Sequence, residues 1–358
     1  MKKTVLILTG KFGSGHISVA HAIKEVIEDM KDVNVEIIDI VDYAFPLIAK
    51  SVYKNFNALV EKSPNLYNAM NKLADGKNTG LINVVVLKRI KRLIDHKNPI
   101  AIISVLPLSS QMISYYKGKY SDETPLYTIV TDICSHNEWI ADNTDKYFIA
   151  DESIKKNFVE KGVVEDKLIV SGIPIRNKFK INTNKKFSSK KRLLVMGGGL
   201  GLIPNCEDVL VRLNEDEGLS VTVITGHNKV LKDQIAKSFM NIRVMGFTES
   251  VAEEMKNADL IISKAGGITV FESIHMERPL LVINPFLAQE KNNAKFIEEK
   301  GIGKVFRNKS ITGDEIVDKI KFVLSDDRKM SLMHNNLKVV KNRIMEYNEK
   351  INSNLKVS

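Results

Sequence analysis

Residues 258–296, ADLIISKAGGITVFESIHMERPLLVINPFLAQEKNNAKF, decide the reading of the fold. Asp259–Ile262 is a short apolar run of the length a buried parallel strand needs. Lys264-Ala265-Gly266-Gly267 follows at once, Thr269–Met276 has helical spacing, and Pro279–Ile283 is the next apolar run. The pattern is a βαβ unit with a glycine turn. Its glycines let the backbone approach a ligand, and the helix start offers unpaired N–H groups and a positive dipole end, which suit phosphate. Glu272, one turn inside the helix, can take both hydroxyls of a ribose. Gln289 and Glu290 follow the next strand, at the end where open α/β sheets bind ligands. An amide beside a carboxylate suits sugar hydroxyls. An ordinary βαβ unit with no ligand has the same pattern, and a glycine pair alone does not separate the two.

The same alternation extends outward. Arg192–Met196 reads as a strand and runs into Gly197-Gly198-Gly199-Leu200-Gly201, followed by strands at Val221–Ile224 and Ile242–Val244. In the first half, Thr4–Thr9 is a strand, Gly10–His16 a glycine loop, Ser18–Met30 a helix and Val33–Ile40 a strand. This loop fails two nucleotide motifs. A phosphate-binding NTPase loop needs Lys then Ser or Thr where His16 and Ile17 stand, and Gly13-x-Gly15-x-x-Ser18 is a poor dinucleotide fingerprint. Its distinctive residue is His16, which titrates near neutrality. Strands resume at Ile100–Ser104, Leu126–Thr131, Tyr147–Ala150 and Leu168–Ser171.

Residues 42–98 break the rhythm, with helices expected at Tyr43–Leu59 and Ser63–Leu73. Residues 80–94 then combine apolar residues around most of a helix with Lys88, Arg89, Lys91 and Arg92 near one end. That suits an interfacial helix on an anionic membrane and also suits a buried connecting helix with a solvated basic end. Residues 177–190 are polar and aperiodic, as a linker is.

A chain of 358 residues favours two domains, and 44% hydrophobic with 27% charged residues is ordinary for a globular protein. Cys134 and Cys206 are too few for a disulfide framework or a zinc site. Val5–Leu8 is too short for a signal peptide's apolar region, and no run approaches a spanning helix. A cytoplasmic or peripheral protein is expected. The net charge of +10 suits an anionic partner: a nucleotide, an anionic membrane or nucleic acid. No nucleic-acid motif or aromatic–basic interleaving is present, so no nucleic-acid partner is expected.

The order Lys264, Gly266, Gly267, Thr269, Glu272, Pro279, Pro285, Gln289, Glu290, Asn293 resembles the donor-nucleotide signature of glycosyltransferase family 28. The loop Thr131-Asp132…His136…Trp139 and the stretches 145–150 and 170–176 are similar to the diacylglycerol glycosyltransferases of that family.

The resemblance implies a GT-B architecture, two Rossmann-like α/β domains facing across a cleft. The expected divisions are an acceptor and membrane-binding domain at 1–176, a linker at 177–190, a UDP-sugar-binding domain at 191–326, and a helix at 327–358 that crosses back. It also implies Gly197, Gly198 and Gly199 beside the donor diphosphate, and Gly246-Phe247-Thr248 as the turn that reads uracil. The implied reaction moves glucose or galactose from UDP-glucose or UDP-galactose to diacylglycerol with inversion, on the inner face of the cell membrane. No metal or other cofactor is expected. His16 is the expected base, with Asp132 as rival or orienting group. Gly13, Gly15, His136 and Trp139 fall on the acceptor and phosphate side. A family member that builds lipid II and a non-catalytic UDP-sugar sensor remain open. Leu287-Ala288 stand where many relatives carry Pro-Gly, which leaves the choice of sugar open.

Overall fold

The computed structural model describes residues 3–28, 32–62, 84–180, 188–199, 201, 206–308 and 312–354. The chain divides into two compact units, residues 1–177 with 344–358, and residues 178–343. Each unit is built on one six-stranded, all-parallel sheet. The α/β class expected from the sequence is therefore observed.

In the first unit the strands are β1 (Lys3–Thr9), β2 (Val33–Asp39), β3 (Pro99–Ser104), β4 (Leu126–Ile129), β5 (Lys146–Ile149) and β6 (Leu168–Val170), in the order β2-β1-β3-β4-β5-β6. The crossover between β1 and β3 places the C-terminal ends of β1, β3 and β4 side by side, so the loops after them share one edge. Parallel strands buried on both faces read as continuous apolar runs, and Val5–Leu8 and Ala101–Ile103 are wholly buried. Leu6, Leu8, Ile90, Leu93, Ile102 and Met112 lie in one core cluster.

The second unit contains β7 (Lys191–Met196), β8 (Leu219–Ile224), β9 (Ile242–Met245), β10 (Leu260–Ser263), β11 (Leu280–Ile283) and β12 (Gly303–Phe306), in the order β12-β11-β10-β7-β8-β9. Its core joins Leu193, Val195, Val221 and Leu281 to Ile316 and Ile320 of helix Gly313–Ser325. Met330 and Met333, from the first half of helix Asp327–Asn354, belong to the same core.

Three local expectations are corrected. A single helix over Tyr43–Leu59 is replaced by Ile40–Ala44 and Ala49–Lys62. Pro46 disfavours helical backbone at Phe45, and Phe45 has φ −129°. The first helix starts where Asp39 Oδ1 accepts from the N–H groups of Val41 and Asp42, both at 3.0 Å. Within the expected linker, Asn177–Phe179 forms a 3₁₀ turn and Phe179 is fully buried, an aromatic hidden among lysines and asparagines. Finally, the four cations of the basic segment do not act alike. Helix Val84–Lys97 turns Arg89 inward, where Nη1 donates to Ala44 O at 2.7 Å. Lys91 pairs with Asp95 at 2.8 Å, whereas Lys88 and Arg92 are exposed one turn apart. The expected helix at 63–73, and residues 80–83 and 181–187, lie outside the described residues.

His275 shows how acid should act on this fold. It ends helix Gly267–Met276, donates from Nδ1 to Phe271 O at 2.9 Å, and buries Nε2 without a hydrogen-bond partner. Burial, chiefly, pushes its pKa from 6.5 down to about 4; the Phe271 carbonyl opposes this, and the charges of Lys180 and Lys341 add to it. Between these values the unfolded chain binds a proton that the folded chain refuses, so stability falls as pH drops below 6.5. From pH 7 to pH 5 the loss is about 2 kcal/mol. Urea unfolding at both pH values should show this slope, and His275→Gln should flatten it. An unchanged slope in the variant would remove His275 as the cause.

Candidate active site

In the first unit the site forms at the shared sheet edge. β1 ends at Thr9 and the chain turns through Gly10–Ser14 into helix Gly15–Glu28. Gly10 fits there because an added Cβ would lie 3.0 Å from Leu106 Cδ2. Gly13 takes a positive φ of 82°, which a side chain would strain. The turn delivers His16, half-buried, to the residues that follow β3 and β4.

His16 Nδ1 lies 2.8 Å from Val105 O and 3.2 Å from Thr131 Oγ1. A carbonyl only accepts, so Nδ1 carries the proton and Nε2 keeps its lone pair. Burial pushes the imidazole's pKa down, while the charge of Asp132 and the Val105 carbonyl pull it back up. The ring is therefore neutral at pH 7, as a proton acceptor must be. The structure thus brings His16 and Asp132 together. It also adds Val105, which the sequence reading passed over, and Thr131, which that reading quoted in the loop without a role.

The loop around Asp132 is held firmly. Gln111 Nε2 donates to Glu138 O at 3.1 Å and Ile140 O at 2.7 Å, and Tyr147 Oη donates to Ala141 O at 2.7 Å. His136 precedes the 3₁₀ turn Asn137–Trp139. Trp139 differs from its expectation as an acceptor contact. It is 2% exposed, with its ring centroid 6.5 Å from that of His16, and walls the imidazole. Its large apolar surface favours this position over solvent.

In the second unit the loop after β7 packs on the loop after β8. Gly198 and Gly201 take positive φ. Gly226 also has positive φ, 58°, and a Cβ there would lie 2.5 Å from Gly198 O and 2.6 Å from Gly199 O. The next residue, His227, donates its N–H to Gly199 O at 2.9 Å and stacks on Phe247, ring centroids 4.4 Å apart at 12°. Thr225-Gly226-His227 is thus part of the site and was missed, because one glycine after a strand is too weak a signal.

Gly246-Phe247-Thr248 follows β9. Phe247 is 59% exposed, and Thr248 Oγ1 accepts from Ser250 N–H at 3.1 Å. After β10, Gly266 begins helix Gly267–Met276 with no side-chain cap, so N–H groups of the first turn, around Thr269, are left for a ligand. The Lys264 side chain lies across Gly198, Cε 2.8 Å from the place of a Cβ, which brings its ammonium to the same glycines. Glu272 is buried in the second turn, and Asn293 Nδ2 donates to Ala265 O at 2.8 Å, bracing the glycine turn.

Glu290 departs from its expectation as a sugar contact. It is 2% exposed, its Oε2 accepts from the N–H groups of Phe286 and Leu287, both at 3.4 Å, and its Oε1 lies 3.9 Å from Lys264 Nζ. As the third residue of helix Ala288–Glu299 it turns back on the preceding loop. Gln289 is the more open member of the pair.

Residues 16–175 match the family model for monogalactosyldiacylglycerol (MGDG) synthase. Residues 192–347 match that for the glycosyltransferase family 28 C-terminal domain. The chain is 29% identical to processive diacylglycerol beta-glucosyltransferase of Bacillus cytotoxicus, covering 92% of this chain and 87% of that protein. It is 27% identical to the protein of the same name from Bacillus subtilis, covering 94% and 91%. Among solved structures, MurG of Acinetobacter baumannii superposes with a TM-score of 0.63 at 16% identity over 97% of this chain and 99% of that one. UDP-GlcNAc 2-epimerase from Neisseria meningitidis superposes with 0.62 at 14% identity, over 98% and 100%. One fold thus serves transferases and epimerases, and the fold alone does not choose the reaction. The two family models, which follow one another along the chain, do choose it: with its GT-B fold, the chain belongs to glycosyltransferase family 28.

Proposed function

We propose that this protein transfers glucose or galactose from a UDP-sugar to the free hydroxyl of diacylglycerol, with inversion, at the inner face of the cell membrane. The observation that carries the reading is His16, held by the Val105 carbonyl with a neutral, unprotonated Nε2. In this reading Nε2 takes the proton of the acceptor hydroxyl as its oxygen attacks the anomeric carbon and the UDP oxygen departs. The departing diphosphate gains negative charge. In this reading main-chain N–H groups at Gly198, Gly199 and Gly267, the helix dipole and Lys264 stabilise it, the N–H groups of Gly197 and Gly266 being spent on Ile224 O and Lys264 O, and no step is assigned to a metal. Glu272 takes the ribose and Phe247 the uracil side. The names of the relatives supply the acceptor class.

The test is UDP release by purified protein offered UDP-glucose or UDP-galactose with anionic vesicles that contain diacylglycerol. Release that requires the vesicles and one of the two sugars supports the reading and names the donor. Release with lipid I alone overturns the acceptor. UDP binding without any release favours a sensor.

Membrane contact has its own test. Among the described residues no helix is long and apolar enough to cross a membrane. Helix Val84–Lys97 exposes Val84 and Val85 ahead of Lys88 and Arg92, and Leu47 is 93% exposed. Such a face suits apolar insertion beneath cations that meet headgroups. Lys88→Gln with Arg92→Gln should weaken binding to anionic vesicles about 30-fold, at about 1 kcal/mol per cation. Arg89→Gln should leave vesicle binding alone, because that guanidinium serves Ala44 O. Vesicle sedimentation compares the two, and equal binding by wild type and the Lys88/Arg92 variant would remove this surface.

A further inference from the structure

Directly under the His16 site lie four hydroxyls, on Ser104, Ser109, Ser110 and Thr128, each 0% exposed. Burying hydroxyls is costly unless each finds a partner, and apolar side chains of the same size would pack there without that cost. Here each proton has a place. Thr128 Oγ1 and Ser110 Oγ are 3.0 Å apart, Ser110 Oγ donates to Ser104 Oγ at 2.8 Å, and Ser104 Oγ donates to Leu106 O at 2.8 Å. With Ser110 and Ser104 both spent as donors, Thr128 must donate to Ser110. Ser109 Oγ closes the cluster, 2.6 Å from Ser104 Oγ and 2.8 Å from the same Leu106 carbonyl. The result is one directed chain from β4 through the first turn of helix Pro107–Tyr120 to the end of β3.

The chain ends where His16 is held. Val105 lies between Ser104 and Leu106, and its carbonyl takes the Nδ1 proton. Thr131, the second neighbour of Nδ1, follows the strand that carries Thr128. Main chain ties the segment at two points, Val105 N–H to Leu8 O at 3.0 Å and Ser110 N–H to Leu106 O at 3.2 Å, and the hydroxyl chain adds the side-chain restraint where Leu106 precedes the helix with no side-chain cap and Pro107 offers no N–H. Hydroxyl chains polarise cooperatively, so breaking one link loosens the whole.

We propose that Thr128, Ser110 and Ser104 are positioning residues for the reaction: their hydroxyl chain fixes the Val105 carbonyl relative to Thr131, which keeps the proton on Nδ1 of His16 and leaves Nε2 as the acceptor. This rests on the reading of His16 as the base. Asp132 is the charged group that acts on the ring. The Val105 carbonyl favours the protonated ring, so loosening it lowers the pKa of His16 and moves the acid limb of kcat to lower pH.

The experiment compares full-length wild type with Thr128→Val, which keeps the shape and removes the hydroxyl, and Thr128→Ser, which restores it. Ser110→Ala breaks the chain at a second link should Thr128→Val not fold. Thr128→Val should lower kcat about tenfold, the worth of one hydrogen bond, with donor KM changed less than about twofold. Thr128→Ser should recover most of it. Ring nitrogen NMR, with His16→Ala marking the His16 signals, reads the tautomer without turnover. Wild type should show the proton on Nδ1, and Thr128→Val a mixture with a lower titration midpoint. If the variants only melt earlier, with ring spectra and kcat as in wild type, the hydroxyls are structural and the proposal falls. Altered spectra with unaltered kcat support the positioning and overturn His16 as base. If wild type turns over no UDP-sugar, the functional reading fails and the spectra still decide the positioning.

Discussion

His16→Ala is expected to lower kcat by roughly a thousandfold, the middle of the range for loss of a general base. Donor affinity should hardly change, because the groups assigned to the nucleotide all belong to the second unit. The pH profile gives a sharper check. His16 is pushed below the ordinary histidine value, so wild-type kcat should stay level to below pH 6.5 and fall only as Nε2 takes a proton. The variant should lose that limb and keep a small, flat residual rate. Stopped assays of UDP release over pH 5–8, with calorimetric UDP binding alongside, measure both. A variant that keeps the wild-type rate would pass the base to Asp132. If His16→Asn retained a tenth or more of the rate, the imidazole would be only a hydrogen-bonding group.

Gly226→Ala should abolish donor binding. Two penalties meet at this position. The positive φ of 58° costs a residue with a Cβ about 1–2 kcal/mol. The new methyl would also lie 2.5 Å from Gly198 O and 2.6 Å from Gly199 O, and main chain cannot rotate away as a side chain can. The loop after β7 must therefore move, and the Lys264 stem that rests on Gly198 moves with it. UDP affinity should fall at least about 100-fold, a loss near 3 kcal/mol. Gly162→Ala is the control. Its φ is 89° with nothing within 4 Å of the new Cβ, so it carries the conformational cost without the collision. It should lower the melting temperature and leave UDP affinity alone. Equal affinity in both variants would mean that the packing of the two loops does not shape the nucleotide site.

Much of this molecule was legible in the sequence because parallel strands advertise themselves. Val5–Leu8, Ile261-Ile262 and Leu280–Ile283 are apolar at every position, since both faces are covered, and the glycine turns after the first two mark the ligand edge. The ordered series from Lys264 to Asn293 pointed to the second unit as the proposed donor half, and the histidine in the first glycine loop pointed to the proposed base. What escaped has physical causes. Glu290 looked like a sugar contact because a carboxylate at a strand's end usually faces a ligand, but its place in the first helical turn bends it onto the N–H groups of Phe286 and Leu287. Arg89 looked like a headgroup contact because its neighbours are cations, yet the helical phase carries it beside Ile90 and towards Ala44. Thr225–His227 needed the packing of two loops distant in sequence.

The bond from His16 to Val105 has a consequence for how such an enzyme changes over generations. Its acceptor is a main-chain oxygen, present whichever amino acid occupies position 105. Val105 is fully buried, so packing limits that codon to apolar side chains of similar size, but among these the imidazole keeps its tautomer, and the bond itself gives selection no grip on the residue's identity. Comparative surveys that rank positions by invariance would therefore pass over the atom to which the proposed base is tied. The heritable record of this restraint should lie instead in the small hydroxylated residues beneath it and in the length of the loop, where a single inserted residue would do more harm than most substitutions.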